Sequence, residues 1–309
     1  MERIKALVLF SGGLDSLIAV DLLKKQDIEV TALIFESYFF NGKQATKIAK
    51  KNNLSVKLVD LSRKHLIMVK QPTYGYGKAA NPCIDCHLMM LQEAKKIMVK
   101  EKYNFIATGE VLGQRPMSQN LRALNLIAEK SELNGWLLRP LSAKNLTISE
   151  VEKNGLINRE KLLAIKGRSR KEQLKIARDN RLIDYSTPAG GCLLTEKDFG
   201  KKLKELFAIY PECSGNDVEI LKYGRQLWEE KIKIVIGRDK EENKQLKKLV
   251  EIGDILIAMK NYNGPTTLLR NYNRQEIPQQ IITKAQELTQ FYSTKARDKK
   301  NIEFNVIKY

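Results

Sequence analysis

Apolar and polar residues alternate in blocks along the first 140 residues, and the blocks predict strands and helices in turn. Residues 4–10 form an apolar run that is typical of a buried parallel strand, and apolar positions at helical spacing follow over 15–25. Further strands are predicted over 28–36, 54–60, 103–108 and 136–141, with helices over 42–53 and 84–102. This alternation predicts an α/β fold with a doubly wound parallel sheet.

The pattern changes from about residue 215. Three apolar runs, over 232–237, 254–259 and 266–270, enclose a charged helix, and a long helix is predicted over 278–296. These elements predict a small, separate α+β domain. We therefore expect two domains, 1–213 and 214–309.

The chain carries 54 basic and 36 acidic residues, which gives a formal net charge of +18. Such an excess favours a polyanionic partner, because each neutralised phosphate releases counterions. Basic residues concentrate in KGRSRKEQLKIARDNR, where we assign RNA contacts to Lys166, Arg168, Arg170 and Lys171. No apolar run reaches the length of a membrane span, so we expect no membrane association and a cytoplasmic location.

The first predicted strand ends in Ser11-Gly12-Gly13-Leu14-Asp15-Ser16, which opens the first helix. Glycines let the backbone turn tightly beside a phosphate, and free N–H groups at a helix start bind anions. The segment lacks the Gly-Lys-Ser/Thr of a Walker A loop. A glycine turn with Asp15 as the helix N-cap is the structural alternative.

SGGLDS resembles the signature of the PP-loop ATP pyrophosphatases, which have the adenine nucleotide alpha-hydrolase fold. The resemblance implies that Asp15 holds Mg²⁺ on the pyrophosphate and that Ser11, Gly12, Gly13 and Ser16 cradle it. Enzymes of this family cleave ATP between the α- and β-phosphates and adenylate a carbonyl oxygen. A nucleophile then displaces AMP.

Within that family, ATGEVLGQRPMSQN (107–120) and LLRPL (137–141) resemble the ThiI-type tRNA 4-thiouridine synthetases, over about residues 5–195. The resemblance implies that Gly109 and Gln114 line the nucleotide site, and we assign Phe35 to that site as well. We expect neither the THUMP domain that precedes this region in the family nor the rhodanese domain that follows it.

Cys83 and Cys86 form a CxxC at a predicted helix start, and Cys192 follows in PAGGC. Three interpretations are open: structural thiols, a Cys83/Cys192 persulfide pair, or a 4Fe–4S cluster held by all three, which resembles the iron–sulfur subgroup of tRNA thiolases. We favour the cluster, because a rhodanese domain is lacking. Zinc with His87 as the fourth ligand is a further alternative.

Residues 232–270 resemble the small NFACT-R RNA-binding domain, with matches at Gly237, Arg238, Glu242, Asn243, Gly253 and Asp254. We assign phosphate contacts to Arg238, Lys260 and Arg270. A module for packing or for a homodimer is the alternative.

Together these features predict a tRNA sulfurtransferase that uses Asp15, Cys83 and Cys192 in catalysis, with ATP, Mg²⁺ and a 4Fe–4S cluster as cofactors. We favour 4-thiouridine over 2-thiouridine as the product, with sulfide or a persulfide carrier as the sulfur donor. The alternatives are a PP-loop amidoligase that acts on a small molecule and a non-catalytic RNA-binding protein.

Overall fold

The computed structural model describes residues 3–182, 184–186, 191–273 and 275–309. The chain divides into two compact units, Met1–Glu196 (unit 1) and Lys197–Tyr309 (unit 2). Among the described residues, no helix combines the length and the apolar character that crossing a membrane requires.

Unit 1 alternates strands and helices along the chain, as the apolar pattern predicts. Its elements are β1 (Lys5–Leu9), α1 (Leu14–Lys24), β2 (Glu29–Glu36), α2 (Lys43–Lys51), β3 (Ser55–Asp60), α3 (Ser62–Lys70), α4 (Cys83–Lys100), β4 (Phe105–Thr108), α5 (Leu121–Lys130), β5 (Leu137–Leu138), α6 (Glu150–Lys153) and α7 (Lys171–Asp179).

The five strands of unit 1 form one parallel sheet in the order β3-β2-β1-β4-β5. The order reverses between β1 and β4, because the chain first adds strands on one side of β1 and later on the other. In doubly wound sheets, ligands bind beyond the carboxyl ends of the strands at such a switch point. The loops after β1 and β4 therefore frame the expected binding crevice.

Buried apolar side chains cover both faces of this sheet. On one face Ala6 and Val8 of β1 belong to a cluster that includes Leu17 of α1 and Ile48 of α2. On the other face Leu7 belongs to a second cluster, with residues of α4 and α5. Alternate residues of β1 thus serve two cores, which explains why the strand is apolar throughout.

Unit 2 comprises α8 (Lys197–Ile209), α9 (Gly215–Ile220), β6 (Arg225–Glu229), β7 (Ile232–Ile236), α10 (Lys240–Lys248), β8 (Ile255–Met259), β9 (Thr266–Asn271), α11 (Gln279–Phe291) and β10 (Phe304–Lys308). Its strands form an antiparallel sheet in the order β10-β8-β9-β7-β6. Side chains of α11 share one apolar cluster with β7, β8 and β9, and those of α9 and α10 share another. This is the small α+β domain that the sequence predicts.

The two units divide before α8, whereas the sequence placed the boundary after residue 213. The reason is that α8 packs within unit 2. Tyr210, which follows α8, lies with its ring centroid 4.8 Å from that of Tyr272. Burial lowers the pKa of Lys233 in β7 to about 7, and the charge of Glu205 in α8 opposes that shift. The sequence contains no turn signal strong enough to reveal these contacts.

Candidate functional site

The loop between β1 and α1 presents backbone N–H groups at the switch point of the sheet. Gly12 has a φ of +73°, and Gly13 precedes the first turn of α1, which no side chain caps. The Ser16 hydroxyl donates to the carbonyl of Gly13 at 2.8 Å and lies 3.4 Å from the Ser11 hydroxyl. The helix start therefore keeps N–H groups available for an anion.

Asp15 lies beside this loop with one carboxylate oxygen bound and the other left over. Gln114 donates its side-chain N–H to Asp15 Oδ2 at 2.8 Å, and Gln173 donates in turn to Gln114 Oε1 at 3.0 Å. The guanidinium of Arg170 lies 3.5 Å from Asp15 Oδ1. The interpretation of Asp15 as a mere N-cap finds no support, because no side chain caps α1.

Three buried polar atoms in this network accept or donate no hydrogen bond among the described residues: Asp15 Oδ1, Arg170 Nε and Gln173 Oε1. A buried polar atom without a partner is costly, so each of these atoms calls for an explanation. A free carboxylate oxygen next to a free guanidinium N–H matches a bound cation together with a phosphate.

The remaining residues assigned to the nucleotide site occupy different surroundings. Gly109 follows β4 directly, and a Cβ there would lie 2.5 Å from the Ser16 amide nitrogen. A glycine at 109 therefore lets the loop after β4 approach α1. Phe35 is buried in the apolar cluster beneath the sheet, near the end of β2. Its assignment to the nucleotide site stays a prediction.

Ser186 belongs to the same crevice and was not predicted from the sequence. Its backbone N–H and its hydroxyl both donate to the carbonyl of Gly12, at 2.9 and 3.0 Å. The segment before Cys192 is thereby attached to the phosphate loop. Only the placement of Ser186 in the turn-rich STPAGGC hinted at a role, and residues 187–190 of that turn lie outside the described part of the chain.

The turn that carries Cys192 lies close to the CxxC in unit 1. Cys83 and Cys86 lie in the first turn of α4. Ala80 N, in the loop before α4, donates to the carbonyl of Leu194 at 3.1 Å, and Leu193 N donates to the carbonyl of Phe39, after β2, at 2.9 Å. The CxxC and the distant cysteine, which the sequence grouped only by analogy, are thus neighbours.

The thiols interact electrostatically. Burial raises the pKa of Cys86 well above its usual range, and the charges of Cys192 and Cys83 raise it further. Burial also raises the pKa of Cys192 to about 11, and the charge of Cys83 adds to the rise. Backbone hydrogen bonds and the charge of Arg115 act in the opposite direction on Cys192.

The donor set fits a metal group in its chemistry but is not assembled around one. Three thiols without a fourth protein ligand suit an iron–sulfur cluster with one open iron better than a closed tetrahedral zinc site. In the described ranges, however, no three His, Cys, Asp or Glu side chains are arranged to hold a metal ion.

Two further residues near the CxxC have structural partners. Asp85, considered as a general acid or a solvated residue, is buried and accepts hydrogen bonds from the amides of Thr73 and Tyr74 at 2.9 and 3.1 Å. It therefore anchors the long loop before α4. His87, the alternative zinc ligand, lies with Nδ1 2.7 Å from a carboxylate oxygen of Glu110.

Of the basic residues assigned to RNA in unit 1, the structure leaves three on the surface. Lys166, Arg168 and Lys171 are exposed. Arg170 is different, because its side chain turns inward to Asp15. We therefore reassign Arg170 from the RNA surface to the nucleotide loop.

In unit 2, the three residues assigned to RNA contacts all bind or approach carboxylates of the same unit. Arg270 is buried and binds Asp254 and Asp217 through its guanidinium, so its assignment to a phosphate contact is wrong. Arg238 is exposed but forms a bidentate pair with Glu242, and Lys260 lies 3.3 Å from Glu303. Glu242 and Asp254, which the sequence matched to the domain signature, hold the unit together.

Two family sequence models match the chain. The model described as "Thiamine biosynthesis protein (ThiI)" matches residues 2–154, and the one described as "NFACT protein RNA binding domain" matches residues 224–309. A probable tRNA sulfurtransferase of Halothermothrix orenii is 32% identical over 155 residues, which is 46% of this chain and 36% of the relative. The chain spans little more than a third of the length of the curated relatives it matches.

Solved structures with a similar arrangement include a 4-thiouridine synthetase–RNA complex with bound ATP, at a TM-score of 0.38 and 23% identity over 58% of this chain and 52% of the other. The U34-tRNA thiolase NcsA from Methanococcus maripaludis, with its [4Fe-4S] cluster, has a TM-score of 0.32 and 16% identity. The match covers 72% of this chain and 74% of NcsA. By sequence, residues 2–154 are thus similar to the ThiI family and residues 224–309 to the NFACT RNA-binding domain.

Proposed function

We propose that this chain is an ATP-dependent tRNA sulfurtransferase, in which unit 1 activates a uridine carbonyl and replaces its oxygen with sulfur. The observation that carries the proposal is that the loop after β4 contacts both sites. Gln114 of this loop donates to Asp15 in the phosphate loop. The Asn81 side-chain amide donates to Cys83 Sγ at 3.2 Å and contacts Met117 Sδ of the same loop at 3.7 Å. An anion-binding loop and a set of thiols therefore adjoin each other within one unit.

The first half of the reaction uses the loop after β1. The N–H groups at the start of α1 bind the phosphates of ATP, and Asp15 is the residue that would hold Mg²⁺, which would neutralise charge on those phosphates. The uridine carbonyl oxygen attacks the α-phosphorus, pyrophosphate leaves, and the proton on the ring nitrogen is released. Arg170 then compensates the charge on the departing pyrophosphate.

The second half delivers sulfur. Hydrosulfide attacks the adenylated carbon, the carbon–oxygen bond breaks, and AMP leaves with the former carbonyl oxygen. The hydrosulfide proton replaces the one lost from the ring nitrogen. We propose that Cys83, Cys86 and Cys192 hold a 4Fe–4S cluster, which when bound would supply an iron with an open position for exogenous sulfide.

tRNA is the substrate that the surface charge and the family matches favour. Unit 1 presents Lys166, Arg168 and Lys171 to solvent, and unit 2 matches an RNA-binding family. The match of unit 1 to the ThiI family favours C4 of uridine as the carbon that receives sulfur.

The test is an anaerobic incubation of the protein with unmodified tRNA, Mg²⁺-ATP and sulfide, followed by mass spectrometry of the nucleosides. We expect thiolated uridine with wild-type protein and with Cys213→Ala, and none with Asp15→Asn or Cys192→Ala. Loss of thiolation in Cys213→Ala alone, or near-normal product in Asp15→Asn, would contradict the proposal.

Iron and sulfide analysis tests the carrier separately. The wild type and Cys213→Ala should each retain a cluster after reconstitution, whereas alanine at 83, 86 or 192 should lose it. If the protein thiolates tRNA with a persulfide and without iron, the cluster is wrong and the Cys83/Cys192 persulfide pair is the sulfur carrier.

A further inference from the structure

Helix α10 places four lysines on one face of unit 2. Lys240, Lys244, Lys247 and Lys248 follow one another at spacings that align side chains along a single side of a helix. All four are exposed, and they form no ion pair or hydrogen bond among the described residues. Unit 2 thus has a row of lysines without salt-bridge partners among the described residues.

The acidic residues at the start of the same helix form no salt bridge with this row, because each of them has another hydrogen-bond partner. Glu242 binds Arg238, and Glu241 accepts a hydrogen bond from the Gln245 side chain at 2.6 Å. Asp239 caps the helix by accepting from the Glu242 amide at 2.9 Å. Each carboxylate therefore has its own partner.

The lysine row forms one wall of a groove of about 770 Å³. Glu241 and Asn243 of α10 also line it, and the opposite wall is the β8–β9 connection with Tyr262, Asn263 and Gly264. Its volume falls in the usual range of about 300–1,000 Å³ for ligand sites. A charged row is thereby set opposite an aromatic ring.

Asn243 fixes the two walls relative to each other. Its side-chain N–H donates to the Gly264 carbonyl at 3.1 Å, and its oxygen accepts from the Thr266 amide at 2.9 Å. A Cβ on Gly237 would lie 2.2 Å from the same oxygen, so glycine is required there. Two residues of the family signature, Gly237 and Asn243, therefore build the groove and need not touch a ligand.

We propose that this groove binds an unpaired segment of the tRNA, with backbone phosphates on the α10 lysines and a base stacked on Tyr262. Lysines can contact backbone phosphates of single-stranded and of helical RNA alike. Stacking on an aromatic ring, in contrast, requires a base that is not paired in a helix. The Tyr262 ring is only partly buried, and its hydroxyl has no partner among the described residues. The inference deepens the proposed function by naming where the RNA is held.

The test measures binding of whole tRNA to the full chain over a salt series, without ATP. The groove variant is Lys244→Gln/Lys247→Gln/Lys248→Gln. Its matched control is Lys222→Gln/Lys284→Gln/Lys308→Gln, which removes three lysines of the same unit that are each paired with a carboxylate. Both variants lose the same net charge, so the comparison separates the unpaired lysines of the groove from paired lysines elsewhere in the unit. Thermal unfolding confirms that each variant is folded.

We expect the groove variant to bind at least tenfold more weakly and to lower the slope of log affinity against log salt by about 2, from three single-strand phosphate contacts. The control should retain nearly the wild-type slope. Tyr262→Leu should weaken binding about tenfold at an unchanged slope, whereas Tyr262→Phe should bind normally.

Equal slopes for the groove variant and its control would overturn the proposal. A further outcome is that the wild type binds a duplex RNA as tightly as it binds tRNA, with no effect of Tyr262→Leu. That result would show that the groove recognises helical RNA and would overturn the claim that the bound segment is unpaired. Because no ATP is present, these outcomes are independent of thiolation. If only the proposed chemistry is wrong, the groove variant will still lose tRNA while the wild type makes no thiouridine.

Discussion

At the scale of single residues, the sequence indicated the chemical type of a site better than it indicated which side chains contact each other. Asp15 lies beside the loop after β1, and Cys83 and Cys86 lie at the start of α4, because local motifs already specify those positions. Their roles in catalysis stay predictions. Arg170 and Arg270 look alike in the sequence, as arginines in segments assigned to RNA binding. Only long-range packing turns one toward Asp15 and buries the other against Asp254.

Arg170 provides a residue-scale prediction. Arg170→Gln should lower turnover at saturating tRNA on the order of 100-fold, because a charge that faces the departing pyrophosphate is lost. Arg168→Gln removes the same charge from the exposed surface and serves as the control. Steady-state kinetics at high tRNA distinguish them. Equal effects of the two substitutions would return Arg170 to the RNA surface.

His65 gives a prediction about stability and pH. It is fully buried, with Nδ1 2.9 Å from the Ser37 hydroxyl, and burial lowers its pKa from 6.5 to about 4. Below pH 6.5 the unfolded chain gains a proton at this histidine that the folded chain does not take up until about pH 4. The free energy of unfolding should therefore fall by about 3 kcal/mol as the pH drops through that window.

Denaturant unfolding at several pH values measures this effect. His65→Asn removes the titrating group, so the variant should lose that part of the pH dependence even if it is less stable throughout. A slope in the variant that equals the slope of the wild type would contradict the assignment to His65.

At the scale of elements, apolar runs in the sequence predicted the central strands. They did not reveal strands whose formation depends on backbone pairing with a neighbouring strand. β1, β2 and β4 are buried on both faces, so their composition alone reveals them. β10 was missed because most of its side chains are exposed, and its backbone pairing with β8 leaves no apolar pattern. The α10 lysine row was visible as helical spacing, but the groove requires the β8–β9 connection.

The position of α8 leads to a prediction about truncation. A chain that ends at Glu196 should fold and bind ATP, because the phosphate loop and its partners Gln114 and Arg170 all lie before that point. A chain that ends at Cys213 keeps α8 without unit 2. It should expose Phe199, Leu203 and Leu206, which are buried in the full chain, and should therefore aggregate.

Thermal unfolding and light scattering compare the two truncations, and titration with ATP checks their phosphate loops. If the longer chain is the more stable and stays monomeric, α8 belongs with unit 1, and the boundary predicted from the sequence is the better one.

At the scale of the whole molecule, the net charge of +18 is divided between two uses. Some basic residues stabilise the fold through ion pairs, as Arg139 does with Glu110 and Arg270 with Asp254. Others, such as Lys166 in unit 1 and the α10 lysines in unit 2, remain free to contact a polyanion. Composition predicts a polyanionic partner, but it could not say which cations are already neutralised.

The central claim is that a carbonyl oxygen of tRNA is adenylated and leaves with AMP. The most direct measurement uses tRNA that carries oxygen-18 at C4 of its uridines, incubated with the protein, Mg²⁺-ATP and sulfide. We predict that the label appears in the phosphate of AMP, in an amount equal to the thiouridine formed, with pyrophosphate as the other product. Thiouridine formed while the label is released into water, or ATP cleaved to ADP and phosphate, would contradict the account.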